Sequence, residues 1–232
     1  MTKKKFKWLF IPVHIGGLAP LLWGIYLAVS GGLSANPIQG ATIRAGRTAL
    51  ILLTLTLACT PLFTLTGFAQ FPRVRRALGL YTFLHAFIHV GLVIGVDYGL
   101  NFSFIFKTFL SQPYFYAGLG AFLILLPMAI TSFKWWRKKL GKNWKRLHRL
   151  IYLAAPLTVL HFAWVRKGDF FRLTGDVQQP LLALIIVTIL LALRLPGVRR
   201  FIVRKRKTLL ARKQSNSVGL DKSNSNISER VP

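Results

Sequence analysis

The sequence predicts an all-α fold: a polytopic membrane protein built as a six-transmembrane-helix bundle. Three observations carry that reading. Hydrophobic residues make up 53% of the 232 residues, the mean hydropathy is +0.48, and several long apolar runs alternate with short basic links. A hydrocarbon core about 30 Å thick needs roughly 20 helical residues, which each run approaches. Only helices and closed barrels satisfy the backbone inside lipid, and the runs are far too long for barrel strands.

Taken in order, the segments fall at about 8–29, 46–66, 77–96, 113–133, 148–165 and 179–195. The first has a Lys-rich start and small residues at Ser34 and Ala35, which imitate a secretory signal. Its apolar stretch is longer than a signal core, and cleavage would leave an odd number of spans, so an uncleaved first helix is expected. The domain expectation is a membrane unit over 1–199. Beyond it, 200–232 is a basic stretch followed by a Ser/Asn-rich tail whose composition predicts disorder.

Net charge is +27, yet the cations are placed by topology. With the amino terminus in the cytoplasm, the outer links keep only Arg44, Arg47, Lys107, Arg166, Lys167 and Arg172 of the 32 Lys and Arg. The remaining cations fall on inner links and the tail, a positive-inside bias that puts both termini in the cytoplasm. The basic tail then reads as a topology signal against anionic headgroups, with membrane lipids and not nucleic acid as the partner.

Cys59 is single and lies inside the second segment, so no disulfide, CxxC or iron–sulfur ligand set is available. Asp97, Asp169, Asp176, Asp221 and Glu229 all fall in loops or the tail, which removes the intramembrane carboxylate expected of most cation-coupled transporters.

Histidine is the informative residue. His85 and His89 lie in the third segment and His148 and His161 in the fifth, with His14 in the first. His89 lies 13 residues past Arg76 and His161 lies 12 past Arg149, so at about 1.5 Å per residue both sit roughly 18 to 20 Å from the inner edge. Two imidazoles level with each other on neighbouring helices can supply both axial ligands of a b-type haem; the alternative is a helix–helix hydrogen-bonding role. His148 lies about 20 Å further in, a separation suited to two stacked haems. Thirteen residues of ideal helix turn it roughly 140° away from His161, a rotation that Pro156 between them could absorb. His85, one turn before His89, and His14 are weaker metal candidates; the alternatives are hydrogen bonding to a ligand or packing for His85, and a structural or quinone-facing role for His14.

The ordered set Ala35-Asn36-Pro37, Gly46-Arg47-Thr48-Ala49-Leu50, Thr60-Pro61-Leu62, Arg75-Arg76-Ala77-Leu78-Gly79-Leu80 leading to His89, and Leu140-Gly141-Lys142-Asn143-Trp144 leading to Leu147-His148, Tyr152 and His161 resembles the MsrQ (YedZ-type) family. These are haem-binding membrane subunits of the bacterial MsrPQ methionine sulfoxide reductase system, related to the ferric-reductase-like transmembrane domain. The similarity covers roughly residues 8–205.

The resemblance implies an electron-transfer subunit that is not itself the catalytic one. It would carry haem b (one or two) and FMN, take electrons from the quinone pool or a flavin reductase, and pass them to the periplasmic molybdenum-containing subunit MsrP. By position it implies His89, His148 and His161 as haem-iron ligands and does not include His85. Two-haem relatives carry a second histidine fourteen residues before the first in this segment, where this chain has Arg75. They also append a flavin- and nicotinamide-binding module, absent from this sequence, so the donor is expected to be separate. Entry is expected near Trp135, Trp136 and Trp144, otherwise read as interfacial anchors. The outer loops 31–45, 97–112 and 166–178 are the expected docking surface. The rivals are another b-type or ferric-reductase-like electron carrier and a small non-redox transporter.

Overall fold

The computed structural model describes residues 8–33, 35–109, 111–166 and 176–209. The Lys-rich start, most of the 166–178 loop and the tail from 210 lie outside the described residues. Among the described residues the chain is helical: α1 (Phe10–Val29), α2 (Pro37–Thr66), α3 (Gln70–Gly91), α4 (Phe102–Phe109), α5 (Pro113–Ile130), α6 (Lys134–Leu140), α7 (Lys142–Leu147), α8 (Ile151–Val165), α9 (Gln178–Ala192) and α10 (Pro196–Leu209). A π-helical turn, Leu92–Asp97, extends α3, and a 3-10 turn, His148–Leu150, precedes α8.

Several boundaries differ from the hydropathy reading for local reasons. Helix α2 starts nine residues early because Asn36 caps it, its side-chain oxygen accepting from the Gln39 N–H at 3.1 Å, and Pro37 fits the first turn. Arg44 and Arg47, expected in a link, are therefore on the helix. Helix α3 likewise begins at Gln70 and carries Arg73, Arg75 and Arg76. The inner link 134–147 forms two short helices joined at Gly141, whose φ of 48° is accessible to glycine. Residues 200–209, expected in a disordered tail, are helical: Pro196 opens α10, bent 72° from α9.

Four helices, α1, α2, α3 with its π turn, and α5, have the length and apolarity of a membrane span, and α9 with α10 makes a fifth if that bent pair is one span. The expectation of six spans is not established, because α8 has 15 residues, about 22 Å, its start being tightened into a 3-10 turn at His148–Leu150.

Helix α2 organises the packing. Leu53 and Leu57 pack with Leu125 of α5, Ile151, Ala154, Ala155 and Val159 of α8, and Val187 of α9. On another side of α2, Leu52 and Cys59 meet Val74 and Leu78 of α3. Lipid tails are as apolar as leucine, so close backbone approach and interhelical hydrogen bonds must hold such a bundle. The buried stripe Ala117, Ala121, Leu125 and Ala129 on α5 provides that approach. It meets Ile151, Ala155, Val159 and Ala163 on α8, spaced every four residues in the same way. Large apolar side chains such as Ile15, Leu22, Ile25, Phe87, Leu123 and Ile189 point outward, as lipid requires.

Polar cross-links complete the frame. Pro61 has no N–H to donate to the Leu57 carbonyl one turn back. The Arg194 guanidinium at the end of α9 donates to that carbonyl at 2.6 Å. Arg206 of α10 donates to the Phe63 and Thr64 carbonyls at 3.0 and 2.9 Å, capping the end of α2 where Gly67 (φ 76°) leaves room for it.

Two stability outcomes follow, both read by chemical denaturation of the full chain in detergent micelles. Ala155→Leu, at a position with 0% exposure, overpacks the α5–α8 contact and costs about 1–3 kcal/mol. Arg194→Ala leaves the Leu57 carbonyl without a donor and costs about 1–2 kcal/mol. In a Pro61→Ala background the restored N–H serves that carbonyl, so the cost of Arg194→Ala shrinks; an unchanged cost would reject this account of Arg194.

Candidate functional site

The structure brings His89 of α3 and His161 of α8 together. Their ring centroids are 5.9 Å apart and the ring planes cross at 83°. Each ring is held by a backbone carbonyl of a neighbouring helix: the His89 Nδ1–H donates to Thr42 of α2 at 3.0 Å, and the His161 Nδ1–H to Tyr114 of α5 at 2.8 Å. A carbonyl only accepts, so Nδ1 must carry the proton in both rings. Each Nε2 then keeps its lone pair, the form in which imidazole ligates a metal, with its other nitrogen serving as the orienting donor.

Two glycines set the rings' positions. A Cβ on Gly118 would sit 2.6 Å from His161 Nδ1, and one on Gly46 would sit 3.0 Å from His89 Nδ1. The imidazoles thus lie directly on the backbones of α5 and α2. Beside His89, the Thr42 hydroxyl is buried and has no hydrogen-bond partner among the described residues.

The spacing suits shared ligation of one metal atom. A metal–imidazole bond of about 2.0 Å and a nitrogen-to-centroid distance of about 1.1 Å on each side give a centroid separation of roughly 6 Å. Near-perpendicular ring planes are compatible with that arrangement. Among the described residues no three His, Cys, Asp or Glu side chains converge. The donor set therefore fits a metal that brings its own equatorial ligands, as a tetrapyrrole does, and not a site built from side chains alone.

The other histidines have different surroundings. The His148 ring packs on Trp144, centroids 4.1 Å apart and planes tilted by 31°, with its Nε2 3.3 Å from the Thr131 hydroxyl; among the described residues no second histidine contacts it. The Trp144 Nε1–H donates to the Thr131 carbonyl at 2.9 Å and fixes this corner. The 3-10 turn at His148–Leu150 advances about 120° per residue and narrows the angular offset between His148 and His161 from roughly 140° to about 80°. Arg75, fourteen residues before His89, donates to Thr60 Oγ1 at 3.2 Å.

His85 is 2% exposed, with Nε2 donating to the Gly17 carbonyl at 2.9 Å, so it ties α3 to α1. His14 pairs through Nδ1 with the Tyr81 hydroxyl at 2.8 Å, and the Tyr81 ring packs directly on Gly17. These three contacts form one α1–α3 seam away from the His89–His161 pair.

Sequence reasoning missed the residues that shape the pair: Gly46, Gly118 and the Thr42 and Tyr114 carbonyls. Gly46 stood within a noted motif, but its contact with a side chain 43 positions away leaves no mark in a single sequence. It also missed the polar cluster at this end of the bundle. There Arg166 pairs with Asp176 at 2.8 Å and with Gln179 at 2.7 Å, and Arg47, adjoining Gly46, donates to Gln179 at 3.2 Å.

Comparison with known proteins bears on this arrangement. Residues 45–159 match the family model described as "Ferric reductase like transmembrane component", a stretch that includes His89 and His148 and stops two residues before His161. The chain is 40% identical over 188 residues to the protein-methionine-sulfoxide reductase heme-binding subunit MsrQ of Xanthomonas axonopodis pv. citri (strain 306), covering 78% of this chain and 83% of that one. The subunit of the same name from Deinococcus radiodurans is also 40% identical over 188 residues, covering 80% and 88%. On that likeness, over most of both lengths, the chain belongs to the MsrQ family, with a ferric-reductase-like transmembrane core.

Proposed function

We propose that the chain binds haem b between His89 and His161 and carries electrons across the bacterial inner membrane to a periplasmic methionine sulfoxide reductase of the MsrP type. The observation that carries this reading is the pair of imidazoles 5.9 Å apart, each with Nδ1–H committed to a backbone carbonyl and Nε2 available. The family's membrane electron-transfer role and the relatives' names as heme-binding subunits support it.

When bound, haem would supply one-electron redox chemistry. The chain's part is to hold and tune. His89 and His161 would hold the iron through Nε2, and the carbonyls of Thr42 and Tyr114 fix the tautomer and orientation of each ring. The small residues of α5 and α8 bring the backbones close, and the surrounding apolar side chains keep water out.

His148, Trp144 and Thr131 mark the inner end, where we place electron entry from the quinone pool or from a soluble flavin reductase. The FMN expected from the family is assigned to that same end. The separation from His161 is about 20 Å by helical rise. His148 is the candidate ligand of a second, inner haem, whose other axial position no histidine supplies among the described residues. The positive-inside bias puts His148 on the cytoplasmic side, the His89–His161 pair towards the periplasm, and both termini inside. The catalytic chemistry on methionine sulfoxide belongs, in this reading, to the partner.

A reduced-minus-oxidised absorption spectrum of the purified full chain tests ligation. His89→Ala and His161→Ala are each expected to abolish the b-type absorbance of the outer site. His148→Ala keeps it if one haem suffices and loses about half if two are bound. Full b-type absorbance in all three variants would falsify the reading.

The glycine cradle gives an independent test. Gly118→Ala places a methyl 2.6 Å from His161 Nδ1, displaces the ring from the Tyr114 carbonyl, and is expected to lower haem content at least about tenfold, the scale of losing an orienting partner. Gly120→Ala, whose Cβ meets only the Leu157 side chain at 3.5 Å, is expected to keep wild-type content. Equal haem content in the two variants would reject the role given to Gly118.

A further inference from the structure

Helix α10 combines three features that a topology signal does not require. It is bent 72° from α9 across a break at 193–195, so if α9 runs near the bilayer normal, α10 runs close to the membrane plane. Its two long faces differ in chemistry. At about 100° per residue, Pro196, Arg199, Arg200, Val203, Arg204 and Lys207 fall on one face, where they line a groove of about 450 Å³. Val198, Phe201 and Leu209 fall on the opposite face and are exposed, with the exposed Lys205 among them as that face's one cation. No Asp or Glu lies between Asp176 and Asp221, so nothing on this helix neutralises its cations.

The helix is also anchored. Arg206 projects between those faces and caps the Phe63 and Thr64 carbonyls of α2. Lys205 extends over the Phe201 ring, its Nζ 4.9 Å from the centroid, as a cation does when its stem lies along apolar surface.

We infer that α10 is an interfacial helix that binds anionic phospholipid, taking the headgroup phosphate in the groove formed by Arg199, Arg200, Arg204 and Lys207. Val198, Phe201 and Leu209 enter the acyl boundary on the opposite side. Charge complementarity and the apolar face together choose the occupant. A soluble phosphate would leave three exposed apolar side chains unexplained, whereas a phospholipid occupies both faces. The inference rests on the membrane location of the chain and is independent of haem ligation.

The test uses the full chain in neutral detergent, with bound lipid counted by native mass spectrometry after titration with phosphatidylglycerol or phosphatidylcholine. The wild type is expected to retain phosphatidylglycerol in preference to phosphatidylcholine. Each surface cation contributes roughly fivefold to binding of anionic lipid, so Arg200→Gln/Arg204→Gln/Lys207→Gln is expected to weaken retention about a hundredfold. Removing the same charge from the inner link, with Lys138→Gln/Lys142→Gln/Lys145→Gln, is expected to leave retention unchanged. Val198→Ser/Phe201→Ser/Leu209→Ser keeps every cation and is expected to weaken retention as well.

Equal loss in the groove and inner-link variants would reduce the effect to net charge and overturn the site. So would equal retention of the two lipids by the wild type. Displacement of phosphatidylglycerol by millimolar inorganic phosphate, with the serine variant unaffected, would reassign the groove to a soluble anion. Because Arg206 is untouched in every variant, an unchanged helical circular-dichroism signal separates loss of lipid from loss of fold.

Discussion

A polar group inside a bilayer must find its partner within the protein, and in this chain the partners are mostly backbone carbonyls. The consequence is sharpest at His89 and His161. The Thr42 and Tyr114 carbonyls accept one hydrogen bond each, settle which ring nitrogen is protonated, and turn two histidines on separate helices into a matched pair. With water in place of those carbonyls, either nitrogen could carry the proton and the rings would be free to turn. Gly46 and Gly118 belong to the same constraint, because a carbonyl can reach an imidazole lying on its own helix only where no side chain intervenes.

The cations obey the same rule at the other end of the bundle. Arg194 and Arg206 are partly buried and pair with no carboxylate among the described residues, and each donates to carbonyls of α2. Pro61 creates one of those needs and the helix terminus creates the other. Helix α2 is therefore tied at several points along its length: to His89 near its start, to α9 beside Pro61, and to α10 at its end. That makes it the element against which α3, α8 and α9 are positioned, and explains why its start at the Asn36 cap matters more than hydropathy alone suggests.

How much of this was legible follows from which quantities are local. The level placement of His89 and His161 was readable because helical rise is fixed and each residue's distance from a basic boundary could be counted. The facing of the two rings was not, since it depends on how α3 and α8 rotate against α2 and α5. The difficulty at His148 was visible as an angular mismatch, but the hydropathy pattern gave no sign that a 3-10 turn lies where the span begins. Helix α10 was misread as tail because Lys and Arg runs lower hydropathy without opposing helix formation. His85 and His14 were weaker candidates by position, and the structure separates them further by giving His85 Nε2 to the Gly17 carbonyl and His14 Nδ1 to the Tyr81 hydroxyl.

The sequence by itself determined that this is a helical membrane protein, which histidines lie at one depth, and that no carboxylate lies within two helical turns of any of them along the chain. Those properties follow from composition, rise per residue and the energetics of lipid, none of which needs a neighbour in space. The tertiary structure alone decided which of the histidines meet, which nitrogen each presents, and that the basic segment after the last apolar run forms a bent-away helix whose Arg206 caps α2. Each of these depends on a carbonyl, a glycine or a guanidinium contributed from a distant part of the chain.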